Sequence, residues 1–528
     1  MKVALAALLV GFFLLMLDTT IVVVAMPTLS TQLHADVSGT TWVTSIYLLT
    51  FTVPLLLAGR LGDRYGTKRI YLIGLAVFTA ASLACGLAGS IEALIAARGA
   101  QGLGAALMSP QTMATIGKLV PFERRARAMA YSGMVSGAAM LIGPVTGGFL
   151  VDAFGWQSIF LINVPIGIAG FAVAAKFVPV TERNRHRFDV LGMLLSGASL
   201  FCLAFGLEEA PAYNWGTITD DLTVLGSATG IAVTVPRVLA AGVVTGVLFV
   251  VWQAVNRSEP MVPLQIFRSR TFAVANVATL IAGFSLTAAT LPGTLYFQAG
   301  RGMSPRDAAL MTLPSALVSV PMGPFVGRIV ERFGSKLPAT LGLTIFSAAL
   351  IIRSFLMTPS SPIILLLLQA AMMGAGSVLM MSPLAVAAMQ SAPRPLIGAA
   401  SGTFNTSRQI GSTLGSACAA TLLATALKNE FTAKLAGLPA EERAQIGQPK
   451  FDELTAHGTA QQQSLIHEVA SSAMAHITLW PAATLAAGAV IVVLLLKNPS
   501  NKAAKPAPVP SDAAPVSTDR SPAGAAIR

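Results

Sequence analysis

The sequence predicts an all-α polytopic membrane protein: two six-helix repeats with two helices inserted between them, fourteen transmembrane helices in all. Three observations carry that expectation. Apolar stretches long enough to cross a ~30 Å hydrocarbon core recur along the whole chain. Short basic loops alternate with short loops poor in Lys and Arg. A loop sequence also occurs twice, as GRLGDRYGTK at 59–68 and GRIVERFGSK at 327–336. Gly, Arg, Arg, Gly and Lys are identical in place, and the other positions pair conservatively, which marks two parallel repeats.

Composition excludes several classes. Hydrophobic residues make up 54% of the 528 and charged residues 11%, with a mean hydropathy of +0.70. A soluble chain carries about 25% charged residues, so a soluble reading fails. The net charge of +12 does not indicate nucleic acid, because Lys and Arg sit in short loops between apolar spans and form no continuous basic face. Cys85, Cys202 and Cys418 are an odd set inside apolar spans, with neither a disulfide framework nor metal spacing. There is no G-x-x-x-x-G-K-[ST] loop for ATP, and no paired carboxylates or nucleophile motif at membrane depth. Neither an enzyme nor a cofactor is expected.

The spans are expected near 3–26, 41–59, 70–90, 93–117, 127–150, 158–178, 190–208, 232–254, 272–297, 305–327, 337–357, 362–388, 397–425 and 477–496. The first resembles a signal peptide, but it is too long and contains Asp18. The eighth has a start blurred by Gly, Thr and Pro236. One set of loops holds Arg60, Arg64, Lys68 and Arg69, then Lys118, Arg124, Arg125 and Arg127, then Lys176, Arg183, Arg185 and Arg187. The same set continues with Arg257, Arg268 and Arg270, then Arg328, Arg332 and Lys336, then Arg394. The opposite set offers little beyond Arg301, Arg306, Arg237 and Arg353. The positive-inside rule places both termini in the cytoplasm of a plasma (inner) membrane protein. The expected organisation is an N-terminal half at 1–180, the inserted helices at 181–256 and a C-terminal half at 257–497. Residues 426–476 read as a polar external loop, partly helical in pattern and suited to a periplasmic adaptor, and 498–528 as a disordered cytoplasmic tail.

Asp18 is the leading candidate for chemistry. A carboxylate at the centre of a bilayer costs at least ~2.5–3.5 kcal/mol on insertion scales, which makes a functional reading the default. It lies about eight residues from the outer end of its span, or ~12 Å at the helical rise. Arg98, about six residues into the fourth span, lies at a similar ~9 Å. Direct pairing, or exchange through a proton or water, is one reading; snorkelling of Arg98 to the outer surface is the other. Ser401, Asn405, Arg408, Ser412 and Ser416 recur at three- and four-residue steps and share a helix face, as a substrate contact or a structural tether. Glu208 and Glu209 are expected to be solvated. Met372, Met373, Met380 and Met381 suit core packing or an adaptable cavity wall.

In the repeated loop, Gly59 and Gly66 permit a tight reversal, Asp63 can face a helix N-terminus, and Arg64, Lys68 and Arg69 suit anionic headgroups. The second copy supplies Gly327, Glu331, Arg332 and Gly334. These loops read as topology anchors, alone or with a conformational latch. On the fifth span Gly133 and Gly137 suit close packing, and Gly143-Pro144 interrupts the hydrogen-bond ladder before Gly147 and Gly148.

Several motifs together resemble the major facilitator superfamily, in its fourteen-helix drug:proton antiporter branch. Residues 59–69 look like its loop motif, and LIAARGAQGLG at 94–104 like its fourth-helix motif with a membrane arginine. Gly143-Pro-Val-Thr-Gly-Gly148 is similar to the antiporter motif, LDTTIVVVAMP at 17–27 to the branch's first-helix motif, and Trp156 through IFLINVPIG at 159–167 to its sixth helix. An Arg-Gln pair matches Arg408-Gln409. The resemblance implies proton-coupled export of small hydrophobic or amphiphilic compounds by alternating access, with Asp18 and Arg98 coupling protons and the loops gating. Thr19, Gln101, Asn405, Arg408 and Gln409 become candidate cavity residues. The implied partners are the substrate, protons and the lipid bilayer. Transport of one specific metabolite is the alternative. Val23 stands where the branch usually has Asn, which removes a polar neighbour of Asp18.

Overall fold

A computed structural model describes residues 2–33, 37–180, 189–210, 213, 215–219, 223–224, 227–228, 232–256, 260–393, 396–436 and 460–497. Arg183, Arg185, Arg187, Arg257, Arg394 and the tail from 498 lie outside these residues.

The N-terminal helices are α1 (Lys2–Gln32), α2 (Val37–Thr52), α3 (Leu55–Tyr65), α4 (Thr67–Gly86), α5 (Ile91–Leu119), α6 (Phe122–Phe154), α7 (Ser158–Leu161) and α8 (Asn163–Phe177). The inserted pair is α9 (Val190–Glu209) and α10 (Val235–Val255). Short strands β1 (Thr217–Thr219), β2 (Thr223–Val224), β3 (Ser227–Ala228) and β4 (Val233–Thr234) lie between them and pair antiparallel, β1 with β4 and β2 with β3. The C-terminal helices are α11 (Arg270–Leu295), α12 (Pro305–Leu310), α13 (Leu313–Phe333), α14 (Lys336–Leu356), α15 (Ile363–Ser391), α16 (Ile397–Ala436) and α17 (Ala460–Leu495).

Among the described residues, eleven helices are long and apolar enough to cross a membrane, or twelve if α2 and α3, bent by 44°, form one span. The bend falls at Pro54, which cannot donate to the helix ladder. α5, 29 residues long, and α6, 33 residues long, are also long enough to cross a membrane but lie outside that count.

Local chemistry sets the ends. Ser90, Asp189, Thr234 and Ser269 accept backbone N–H bonds at the starts of α5, α9, α10 and α11. Thr234 with Pro236 in the first turn defines the start of the eighth expected span. The tenth differs from expectation: Pro305–Leu310 is a separate short helix, and α13 begins at Leu313, just before Pro314. The loop expected at 426–476 is shorter, because α16 continues to Ala436 and α17 begins at Ala460; residues 437–459 lie outside the described part. Glu209, expected to be solvated, is buried at the end of α9.

The two repeated loops reverse in the same way. Gly66, between α3 and α4, has φ 91°, and Gly334, between α13 and α14, has φ 76°. That left-handed region is open to Gly at little cost, whereas β-branched or bulky residues are outliers there.

The apolar core has separate and shared parts. Leu14, Tyr71, Phe78 and Ala105 build one cluster in the first half, and Ile21, Leu94, Trp156 and Phe160 another. The largest cluster joins Leu56, Ile116 and Met129 of the first half to Leu384, Ile397 and Phe404 of the second. Met380 belongs to this core, with Met373 and Met381 packed against it. The inserted helices pack on each other through Gly242 against Leu203 and Gly206 against Leu239. Val243, Val247 and Val251 of α10 remain exposed, an apolar face suited to lipid.

Candidate functional site

Asp18 and Arg98 meet inside the first half, both fully buried. α1 brings Asp18 and α5 brings Arg98 and Gln101, which share a face at a three-residue spacing. Arg98 Nη1 donates to Asp18 Oδ2 at 2.6 Å, and Gln101 Nε2 donates to Asp18 Oδ1 at 2.9 Å. Both carboxylate oxygens are thus engaged. Arg98 also donates through Nε to the Val43 carbonyl at 3.1 Å and through Nη1 to Gln101 Oε1 at 2.7 Å. Its guanidinium lies 4.1 Å from the Tyr47 ring centroid, within cation–π range. Arg98 therefore does not snorkel: its charge is satisfied inward.

The network extends to side chains that sequence reasoning did not select. Gln101 Nε2 and Asn163 Nδ2 each donate to Ser82 Oγ at 3.0 Å, and Ser82 donates to the Phe160 carbonyl at 3.1 Å. Cys85 Sγ lies 3.6 Å from Gln101 Oε1. Gln101, a candidate cavity residue, thus bonds to both members of the charged pair. Among the described residues, Arg98 Nη2, the Tyr47 hydroxyl and Asn163 Oδ1 have no hydrogen-bond partner. A buried ion pair is weak evidence for stability, but removing one partner typically costs ~3–5 kcal/mol because a charge is left uncompensated. The arrangement ties α1 to α5 through one carboxylate and one guanidinium.

The second constellation lies where the halves touch, at the end of the bundle that carries the repeated loops. Asp63 is fully buried. Its Oδ1 accepts from Lys118 Nζ at 3.0 Å, and its Oδ2 accepts from the Ala399 backbone N–H at 3.0 Å. Ala399 is in the first turn of α16, where unpaired N–H groups and the helix dipole favour an anion. A first-half carboxylate therefore caps a second-half helix. Beside it, Gly59 lies against the backbone of Gly398 and Gly402. Ser401 Oγ donates to the Pro110 carbonyl at 2.8 Å, and Ser109 Oγ donates to Asn405 Oδ1 at 3.3 Å. These bonds join the two halves at this end of the bundle.

The other loop residues are placed as follows. Arg60 donates to the Met261 carbonyl at 2.6 Å and also to that of Pro260. Lys68 donates to the Ala175 carbonyl at 2.7 Å, Arg64 lies over the Tyr65 ring, and Arg69 is exposed. In the second copy Glu331 accepts from Arg127 of α6 at 2.6 Å, Arg332 lies over Phe333, and Gly327 is buried.

On α6, Gly143 packs directly against Thr20 of α1, Gly147 is buried, and Gly148 faces open space. The helix continues through Pro144, whose side chain, like that of Val23, lies outside the described part. Thr19 bonds locally to the Met16 carbonyl. Gln409 is buried, and Arg408 is half-buried with no side-chain hydrogen bond among the described residues.

Two helical halves, a buried acid–base pair in one and hydrogen bonds joining them at one end, define a polytopic membrane carrier. The sequence profile of the Major Facilitator Superfamily matches residues 8–416, and the chain belongs to that superfamily. It is 32% identical over 527 residues to the tetracenomycin C resistance and export protein of Streptomyces glaucescens, covering 97% of this chain and 94% of that one. It is 34% identical over 416 residues to the multidrug resistance protein Stp of Mycobacterium tuberculosis, covering 78% and 74% respectively. Among solved structures, the proton:xylose symporter XylE shares the fold, with a TM-score of 0.61 and 12% identity over 94% of this chain and 96% of that one.

Proposed function

We propose that this protein exports small hydrophobic or amphiphilic compounds across the plasma membrane in exchange for protons, by alternating access. Resemblance over most of the chain to resistance and export proteins supports the efflux reading. The observation that carries the coupling is the fully buried Asp18–Arg98 pair with Gln101 on the second carboxylate oxygen. A proton reaching Asp18 neutralises the carboxylate and removes its attraction to Arg98. α1 and α5 are then free to shift, and the closed loop end can open. Substrate loading and return of the proton to the cytoplasm restore the pair.

In this reading the loop end is cytoplasmic, both termini lie on that side, and α5, α6 and the bent α2–α3 unit complete fourteen crossings. Asp63 with the start of α16 is the cytoplasmic lock, and the α6 glycine–proline segment lets the halves rock. The loop expected at 426–476 would lie outside, available to a periplasmic adaptor where the source has an outer membrane.

Asp18→Asn tests the coupling role. In inverted vesicles it should abolish pH-gradient-driven uptake while substrate counterflow persists. Full gradient-driven uptake by Asp18→Asn at normal expression would overturn the role of Asp18.

A further inference from the structure

The internal repeat leads to a second buried cation. Continuing the register of the two loops along α4 and α14 pairs Gly74 with Gly342, Phe78 with Phe346 and Cys85 with Arg353. Gly104 of α5 packs on the Phe78 backbone, and Gly376 of α15 packs on the Phe346 backbone, so these glycines correspond as well. That register sets Gln101 against Met373 and Arg98 against Ala370. The contact is conserved in kind: Cys85 lies 3.6 Å from Gln101, and Arg353 Nη1 lies 3.8 Å from Met373 Sδ. The second half therefore holds a guanidinium in the counterpart of the Asp18–Arg98 pocket. It enters from α14 instead of α15.

One component of the first pocket is missing from the second. Arg353 is only 8% exposed, its Nε has no partner, and the guanidinium lies against Gly293, where no side chain stands. The three helices around it, α11, α14 and α15, contain no Asp or Glu. The nearby Tyr296 hydroxyl, which donates to the Leu356 and Thr358 carbonyls, is a neutral group and supplies no counter-charge. Among the described residues, the acids of the second half have other partners: Asp307 with Ser304, Glu331 with Arg127, Glu430 with His476 and Glu468 with Lys434. A position in the last turn of α14 favours a cation through the helix dipole, but this side chain turns into the bundle and away from the end. A buried charge without a counter-ion is strongly disfavoured. Arg408, half-buried on α16, adds a second cation without a side-chain partner among the described residues.

We propose that Arg353 binds the anionic group of exported substrates, a carboxylate or an acidic phenol or enol, and so selects amphiphilic organic anions. The proposal rests on the efflux reading above and names the substrate class. In the first half the counter-ion of the buried arginine is part of the chain; in the second the cargo supplies it.

The test uses full-length protein and two probes, N-dansylglycine and its methyl ester. In inverted vesicles, Arg353→Gln should cut gradient-driven uptake of the acid at least tenfold and leave the ester within twofold, and Arg353→Lys should recover much of the loss. Equal losses for acid and ester, or no loss for either, would overturn the proposal. Ester uptake that ignores the pH gradient would instead count against proton coupling. Binding is read separately, in detergent and gluconate buffer. N-Dansylglycine should raise the melting temperature of the unmodified protein and not that of Arg353→Gln. No shift, a shift retained in the variant, or a shift that chloride reproduces and the acid does not extend would each reject Arg353 as the substrate-anion site.

Discussion

The two copies of the repeated loop have nearly the same sequence but different surroundings. In the first, Asp63 is fully buried, paired with Lys118 and capping α16 across the boundary between halves. In the second, Glu331 crosses the same boundary in the other direction, to Arg127, but that pair is open to solvent. Their arginines differ as well: Arg60 is anchored to the backbone of Pro260 and Met261, while the matching Arg328 lies over its neighbour Phe325. A repeated motif therefore does not imply a repeated energy. Breaking the same carboxylate–cation pairing costs more where water is excluded and a helix terminus adds its own N–H groups.

The largest effect should come from breaking the buried copy. Asp63→Asn leaves Lys118 without its anion and weakens the α16 cap, a loss on the order of 3–5 kcal/mol for a buried pair. Transport should fall more than tenfold, and disulfide cross-linking between Ser109→Cys and Asn405→Cys should drop as the loop end opens. Unchanged cross-linking would mean that Asp63 does not hold the halves together.

Glu331→Gln should have a much smaller effect, because exposed pairs contribute about 0–1 kcal/mol. Transport within threefold of the unmodified protein is the expected result. A loss matching that of Asp63→Asn would erase the distinction between the copies.

The smallest effect is a pH dependence at Asp189, which fixes the segment that Arg60 grips. Burial pushes the Asp189 carboxyl up, but bonds from Trp252, Gln253 and the Gly192 and Met261 backbone N–H groups outweigh it and leave the pKa below its ordinary value. Its stabilisation is therefore complete above the unfolded pKa of about 3.9 and is lost as pH falls through the lower folded value. Melting temperatures of the unmodified protein and Asp189→Asn should differ at neutral pH and converge as the pH falls through the lowered folded value. A gap that persists in acid would show that the Asp189 bonds do not depend on its charge.

Much of the architecture was legible in the sequence, because apolar length and loop charge are local properties. Helix ends were less so. α16 and α17 run well past the expected spans, since polar residues such as Gln463 and Glu468 can continue a helix beyond its apolar part. The site was legible only through its charges. Asp18 and Arg98 stand out as expensive residues at matching depth, whereas Ser82, Tyr47 and Asn163 are ordinary polar residues on other helices. The bond from the Ala399 backbone to Asp63 involves no distinctive side chain, so nothing in the residue identities marks it.

The sequence by itself determined where the chain is apolar, where it turns, that it repeats, and which few charges enter the apolar part. These follow from residue chemistry and spacing along a single helix. Only the tertiary structure decided which charges are neutralised. Arg98 has an aspartate across from it, Arg353 has Gly293, and Asp63 has the start of a helix from the other half. Pairing energy depends on distance and on exclusion of water, and both are set by helices far apart in the chain.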